Sequence, residues 1–199
     1  MKKILVLLAA VGLVAAACNN TPQSTNNPPP PPPAAAPTTQ TYSNATYGFE
    51  FQYPVSMNFV TPTYANLTDK IVQVQIPQSA YPGTNFGDAA FSVSASGAKD
   101  LADCLKQNSP ENGDGFKTKV SINGMDFYMT SSNGAGAGNL YESKVYRLVK
   151  STGGSCIELN ETIHTGNIGN YPAGTVMEVD KTDVQAKLDT ILNSFSFNP

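Results

Sequence analysis

His164 is the sole histidine of this 199-residue chain, which removes every metal centre built on two or more imidazoles. Glu158 and Glu161 lie just before it in a stretch rich in β-branched residues. Alternation with period two places Glu158 and His164 on one face of an extended segment, with Glu161 on the other. A carboxylate beside an imidazole is a minimal acid–base pair. No catalytic constellation closes here, and none is assigned; were the chain an enzyme, Glu158 and His164 would be its pair. Two such ligands are too few for zinc, so neither a metal nor a cofactor is expected. The structural alternative for His164 is to hold the following segment, Gly166 to Tyr171, by hydrogen bonds.

Other spacings with chemical meaning fail on context. Ser96-Gly97-Ala98-Lys99 has the Ser-x-x-Lys spacing of penicillin-recognising acyl enzymes, but the companion Ser-Asp-Asn and Lys-Thr-Gly motifs are missing. Glu111 to Gly115 hints at a calcium loop, yet Pro110 stands where the first carboxylate is needed and Ser121 where the bidentate glutamate belongs. It reads as a turn. Gly134 to Gly138 joins two strands and opens no helix, so it is no phosphate cradle. Of three cysteines, Cys104 and Cys156 form an even pair once Cys18 is set apart. Outside the cytoplasm such a pair is expected to be a disulfide; a redox couple and two separate buried thiols are the alternatives.

Cys18 is set apart by what precedes it. Lys2 and Lys3 are followed by an apolar run, Ile4 to Val14, too short for a permanent transmembrane helix, and then by Ala15-Ala16-Ala17-Cys18. This resembles the lipobox of bacterial lipoproteins, although Ala15 stands where Leu is usual. The resemblance implies cleavage between Ala17 and Cys18, with lipid on Cys18. The alternative is an ordinary secretory signal cut after an A-x-A site, which leaves a free thiol. Without residues 1–17 the chain keeps 10 basic against 15 acidic residues, a charge of −5. That balance gives no electrostatic footprint for nucleic acid.

Three regions follow: a signal at 1–17, the lipidated cysteine and a Pro-rich linker at 18–41, and one domain at 42–199. The linker contains six successive prolines, Pro28 to Pro33, and almost nothing that could be buried. It is expected to be a disordered, extended spacer. In the domain, strands are expected at 47–53, 71–76 and 89–95, with a long loop between the last two. A short helix is expected at 100–107. Two hairpins follow, turning at Asn123-Gly124 and at 151–154. Thr182-x-x-Gln185 has the form of a capping box opening a helix with Val184, Leu188, Ile191, Leu192 and Phe195 on one face. A closing strand at 195–197 ends the chain. The fold class is α+β, a mainly antiparallel sheet with a few packed helices.

The opening Tyr-x-x-x-Tyr-Gly-Phe-x-Phe-x-Tyr-Pro and the closing Ile191-Leu192-Asn193-Ser194-Phe195-Ser196-Phe197 resemble the PsbP-like superfamily. A second likeness, to small uncharacterised lipoproteins, is carried by Gly138 to Glu142, Cys156 to Glu158 and Ile163 to Tyr171. These resemblances imply a domain held outside the cytoplasm at a bacterial envelope membrane, on the periplasmic side of the outer membrane or at the cell surface. The expected role is non-catalytic binding or support, with the membrane as one partner through Cys18 and an envelope protein or glycan as the other. An envelope enzyme using His164 and Glu158 is the alternative. A third reading is a small-ligand carrier using loop aromatics Tyr64, Tyr81 and Phe86.

Overall fold

The computed structural model describes residues 38–108, 115–150 and 154–198. Cys18, the signal, the proline run, the acidic turn at 111–114 and most of the turn at 151–154 lie outside them. The elements run β1 (Thr39–Asn44), β2 (Phe49–Pro54), β3 (Asn58–Val60), β4 (Asp69–Ile76), β5 (Phe86–Gly97), α1 (Leu101–Lys106) and β6 (Thr118–Ile122). They continue with β7 (Met125–Gly136), β8 (Asn139–Lys150), β9 (Ser155–Gly166), α2 (Lys181–Leu192) and β10 (Ser196–Phe197). Seven strands form an antiparallel sheet in the order β3-β4-β5-β9-β8-β7-β6, and β1-β2-β10 form a smaller one. The α+β class is the expected one.

Alternation decides which face of each strand is buried. In β2, Phe49, Phe51 and Tyr53 are buried while Glu50 and Gln52 are exposed. They meet Val72, Val74, Phe91, Val93, Ile157 and Leu159 of the large sheet, and Val184, Leu188 and Ile191 of α2, in one core. Fully burying one such side chain contributes about 1.5–3 kcal/mol. The other face of the large sheet is polar at its centre: Ser92 and Ser94 from β5, Glu158, Asn160 and Thr162 from β9, and Arg147 from β8 are all buried. α1 and the segment 61–68 cover part of that face.

The Asn123-Gly124 hairpin forms as expected, with Ile122 opposite Met125 and both turn residues left-handed at φ 47° and 75°. Ala137-Gly138 makes the same kind of turn between β7 and β8, at φ 50° and 81°. Several expected boundaries shift. β1 begins at Thr39, inside the stretch read as linker, because Thr39 to Asn44 pair with β2 from Pro54 to Phe49. β5 begins at Phe86, three residues early, because Phe86 pairs with Thr165 across β9. α2 is capped by Asp180 rather than by a Thr182–Gln185 box; its carboxylate accepts from the amides of Thr182 at 2.9 Å and Asp183 at 3.4 Å. Gln185 cannot complete a box, since its amide is turned inward to Glu161.

Candidate binding groove on the polar sheet face

Glu158 and His164 lie on the same face of β9, as alternation requires, but the structure does not bring them together. Six residues at about 3.3 Å each separate them by roughly 20 Å along the strand. Each is engaged elsewhere, so the acid–base pair does not assemble.

Glu158 is fully buried with Arg147. Arg147 directs Nε and Nη2 to Glu158 Oε2 at 2.8 and 2.6 Å. Glu158 Oε1 accepts from the Asn66 amide at 2.9 Å, Asn66 Nδ2 at 3.0 Å and Ser94 Oγ at 3.2 Å. Arg147 also donates to the carbonyls of Cys104 at 3.1 Å, Asn108 at 3.1 Å and Gln107. One guanidinium therefore fixes the end of α1 and, through Glu158, the segment carrying Asn66. Arg147 is absent from the residues singled out in the sequence. Its signal was a lone charge in Val145-Tyr146-Arg147-Leu148-Val149, on the face shared with Val145 and Val149.

Cys104 and Cys156 are joined in a disulfide with Cα atoms 5.3 Å apart. Both sulfurs are buried beside Leu67, in a small cluster separate from the main core. Ser96 donates to Gln107 Oε1 at 2.5 Å, which takes it out of any Ser-x-x-Lys chemistry.

At the far end of β9, His164 is hydrogen-bonded through both ring nitrogens, Nδ1 with Asp88 Oδ2 at 3.1 Å and Nε2 with Asn139 Oδ1 at 3.0 Å. The Tyr64 hydroxyl donates to the other Asp88 oxygen at 3.0 Å. Burial and the Asp88 carboxylate hold that hydroxyl well above the ordinary phenol range, so it remains a donor. The β5–β9 register shifts between Phe86 and Asp88. Gly87 sits in that irregularity, where a Cβ would lie 2.6 Å from His164 Nδ1, so the imidazole needs glycine there. The loop after β9 is held by other groups: Asn85 Nδ2 donates to the Gly166 carbonyl, and the Asn167 amide and Asn170 Nδ2 donate to that of Gly138. Asn85, a buried asparagine, does the anchoring that the sequence assigned to His164.

Tyr141 stacks flat on His164, with ring centroids 4.6 Å apart and planes 10° apart. Beside it lies a cavity of about 340 Å³ lined by Ser132, Asn133, Gly134, Gly136, Tyr141 and Ser143. A second cavity of about 230 Å³ shares Ser132 and Ser143 and continues past Asn160 and Thr162 to Tyr64. Together they form a polar groove over β7, β8 and β9. The loop-aromatic carrier site does not assemble: Phe86 is buried at 1 % exposure, and Tyr64 is held by Asp88. Tyr81 instead packs on Phe86 and donates to Asp183 at 2.6 Å. Among the described residues, no three His, Cys, Asp or Glu side chains gather as metal ligands would.

On the opposite face of β9, Glu161 Oε2 accepts from the Tyr146 hydroxyl at 3.1 Å and Gln185 Nε2 at 2.9 Å, while the buried Oε1 has no hydrogen-bond partner. Burial, and then the nearby Asp189 carboxylate, push Glu161 up to about 7 against the opposing pull of Gln185, Lys144 and Tyr146. The folded state thus binds a proton more tightly than the unfolded chain, whose carboxyl titrates near 4.5. Its contribution is complete below that value and is lost as pH rises through about 7. The loss is on the order of 3 kcal/mol. Glu161→Gln, which imitates the protonated acid, is expected to exceed the parent in stability by up to that amount at pH 8 and to match it at pH 4. Urea unfolding at the two pH values checks this; equal curves at pH 8 would refute it.

No family model and no curated protein sequence matches the chain. Several solved structures match it, among them the following three. LpqN of Mycobacterium tuberculosis, described as involved in cell envelope biogenesis, is 11% identical, with a TM-score of 0.51 over 81% of this chain and 91% of its own. A protein of Bacteroides thetaiotaomicron VPI-5482 is 13% identical with a TM-score of 0.48 over 81% of this chain, which spans about half of it, 49%. The cyanobacterial PsbP of Synechocystis sp. PCC 6803 is 17% identical, with a TM-score of 0.46 over 82% of this chain and 95% of its own.

Proposed function

We propose that this chain is an envelope lipoprotein, lipidated at Cys18, whose domain is a non-catalytic binding module presenting the groove over β7, β8 and β9. LpqN shares the fold, and the proposal places this chain in an envelope setting like that protein's. The observation that carries the non-catalytic reading is that the carboxylates, the guanidinium and the imidazole named above are each engaged by protein groups: Glu158 with Arg147, and His164 with Asp88 and Asn139. Glu158 also holds Asn66 and Ser94. The groove itself is lined by neutral hydroxyls, amides and an aromatic ring, groups that bind rather than transfer protons. Among the described residues, no helix is long and apolar enough to cross a membrane. Anchoring is assigned to acyl chains on Cys18 because Ala15-Ala16-Ala17-Cys18 resembles a lipobox, at about 0.8 kcal/mol per buried methylene.

Two measurements test the two halves of this reading. Cys18→Ser is expected to abolish acylation and move the protein from the detergent phase to the aqueous phase; unchanged partitioning would refute the anchor. A photo-crosslinking amino acid at Ser143 is expected to trap an envelope component in cells, while the same group at Thr190, exposed on α2, does not. No adduct at Ser143, or equal adducts at both, would refute the binding face.

A further inference from the structure

Tyr141 lies in β8 between His164 of β9 on one side and Gly134 of β7 on the other. One face of its ring is occupied by the parallel imidazole, so the other turns toward β7. There the cross-strand neighbour is glycine, and two pairs further on, on the same face, Gly136 stands opposite Asn139. Two side chains that would ordinarily cover the ring are absent. The cavity lined by Tyr141, Gly134 and Gly136 occupies the space they would have filled. The ring is also held in place before any ligand arrives, since its support is itself fixed by Asp88 and Asn139. Such preorganisation removes part of the ordering cost of binding.

The remaining lining is equally selective. Neither this cavity nor the one continuing from it is lined by a charged side chain. Ser132 and Ser143 share the ring's face of the sheet, and Ser143, Thr162 and Asn160 continue along the groove as a chain of hydrogen bonds, each 3.3 Å long. A ligand matched to this surface has an apolar face for the ring, hydroxyl or amide groups at its rim, no charge, and more than one unit. We propose that the groove is a carbohydrate-binding site in which an uncharged pyranose stacks its C–H face on Tyr141 and the next sugar extends toward Asn160 and Thr162. This rests on the binding-module reading above and names its ligand class.

Position 134 supplies the decisive variant. Gly134 does not have a left-handed backbone, and a Cβ there would meet only Tyr141 Cβ, at 4.0 Å. A side chain at 134 therefore fits the strand while covering the ring. The probes are chitotetraose and cellotetraose, both neutral, and tetragalacturonic acid, titrated by calorimetry into the full chain in detergent micelles. At least one neutral tetramer is expected to bind, with tetragalacturonic acid at least tenfold weaker. Gly134→Val is expected to weaken the neutral tetramer at least tenfold with an unchanged melting temperature, and Ser143→Ala to weaken it several-fold. Failure of both neutral tetramers to bind, unchanged affinity in Gly134→Val, or equal binding of the acidic tetramer would overturn the inference. If the Ser143 crosslink is then digested by protease, the partner is a protein and the binding face stands without the sugar. If no crosslink forms either, both readings fall together.

Discussion

Arg147→Ala is expected to lower the unfolding free energy by about 3–5 kcal/mol, because it leaves the Glu158 carboxylate buried without its cation. Both side chains of the pair are fully buried, so neither solvent nor salt can make up the loss. The same substitution strips a donor from the carbonyls of Cys104, Gln107 and Asn108. Unlike an exposed bridge, this one closes a layer: β8, β9, α1 and the Asn66 segment all meet at it. Arg147→Lys keeps the charge but not the fork of donors, and is expected to recover only part of the loss. Glu158→Gln in the Arg147→Ala background removes the orphaned charge and is expected to restore more. Urea midpoints of the four proteins decide it. A loss no larger than about 1 kcal/mol, the value of a surface pair, would show that water reaches the site and that the pair is not structural.

Replacing Cys104 and Cys156 together by Ala is expected to cost about 2–4 kcal/mol. The bond closes a loop 52 residues long, for which the chain-entropy model gives about 4 kcal/mol before any relaxation of the folded state. It ties α1, a helix of only six residues, to β9. Arg147 and the Asp100 cap, which accepts from the Asp103 amide at 2.8 Å, hold the same helix. Non-reducing mass spectrometry of the exported protein is expected to show Cys104 bonded to Cys156, and export should survive the double substitution. Ready alkylation of both thiols in the native protein would contradict the bridge. The two losses are not independent, because Arg147 and the disulfide secure the same helix, and combining the variants should cost less than the sum.

The elements of this domain were largely legible in the sequence because their signals are local. Period-two alternation in Phe49 to Tyr53 marks a strand whichever partner it finds. Asn123-Gly124 makes a hairpin turn because both residues tolerate positive φ. Val184, Leu188 and Ile191 define a buried helix face from spacing alone. Alternation likewise placed Glu158 and His164 on one face and Glu161 on the other. What alternation does not carry is who stands opposite. The partners of His164 come from residues 76 and 25 positions away, and those of Glu158 from 11, 64 and 92. Register between strands sets those distances, and the core packing that fixes register involves every strand at once. The boundary at Thr39, the cap at Asp180 and the burial of Phe86 were decided in the same way, by a neighbouring strand or an inward-turned side chain. The groove lies furthest from the sequence. Gly134 reads as part of a glycine-rich connection between two strands until β8 places Tyr141 opposite it, and only then does the absence of a side chain become a surface.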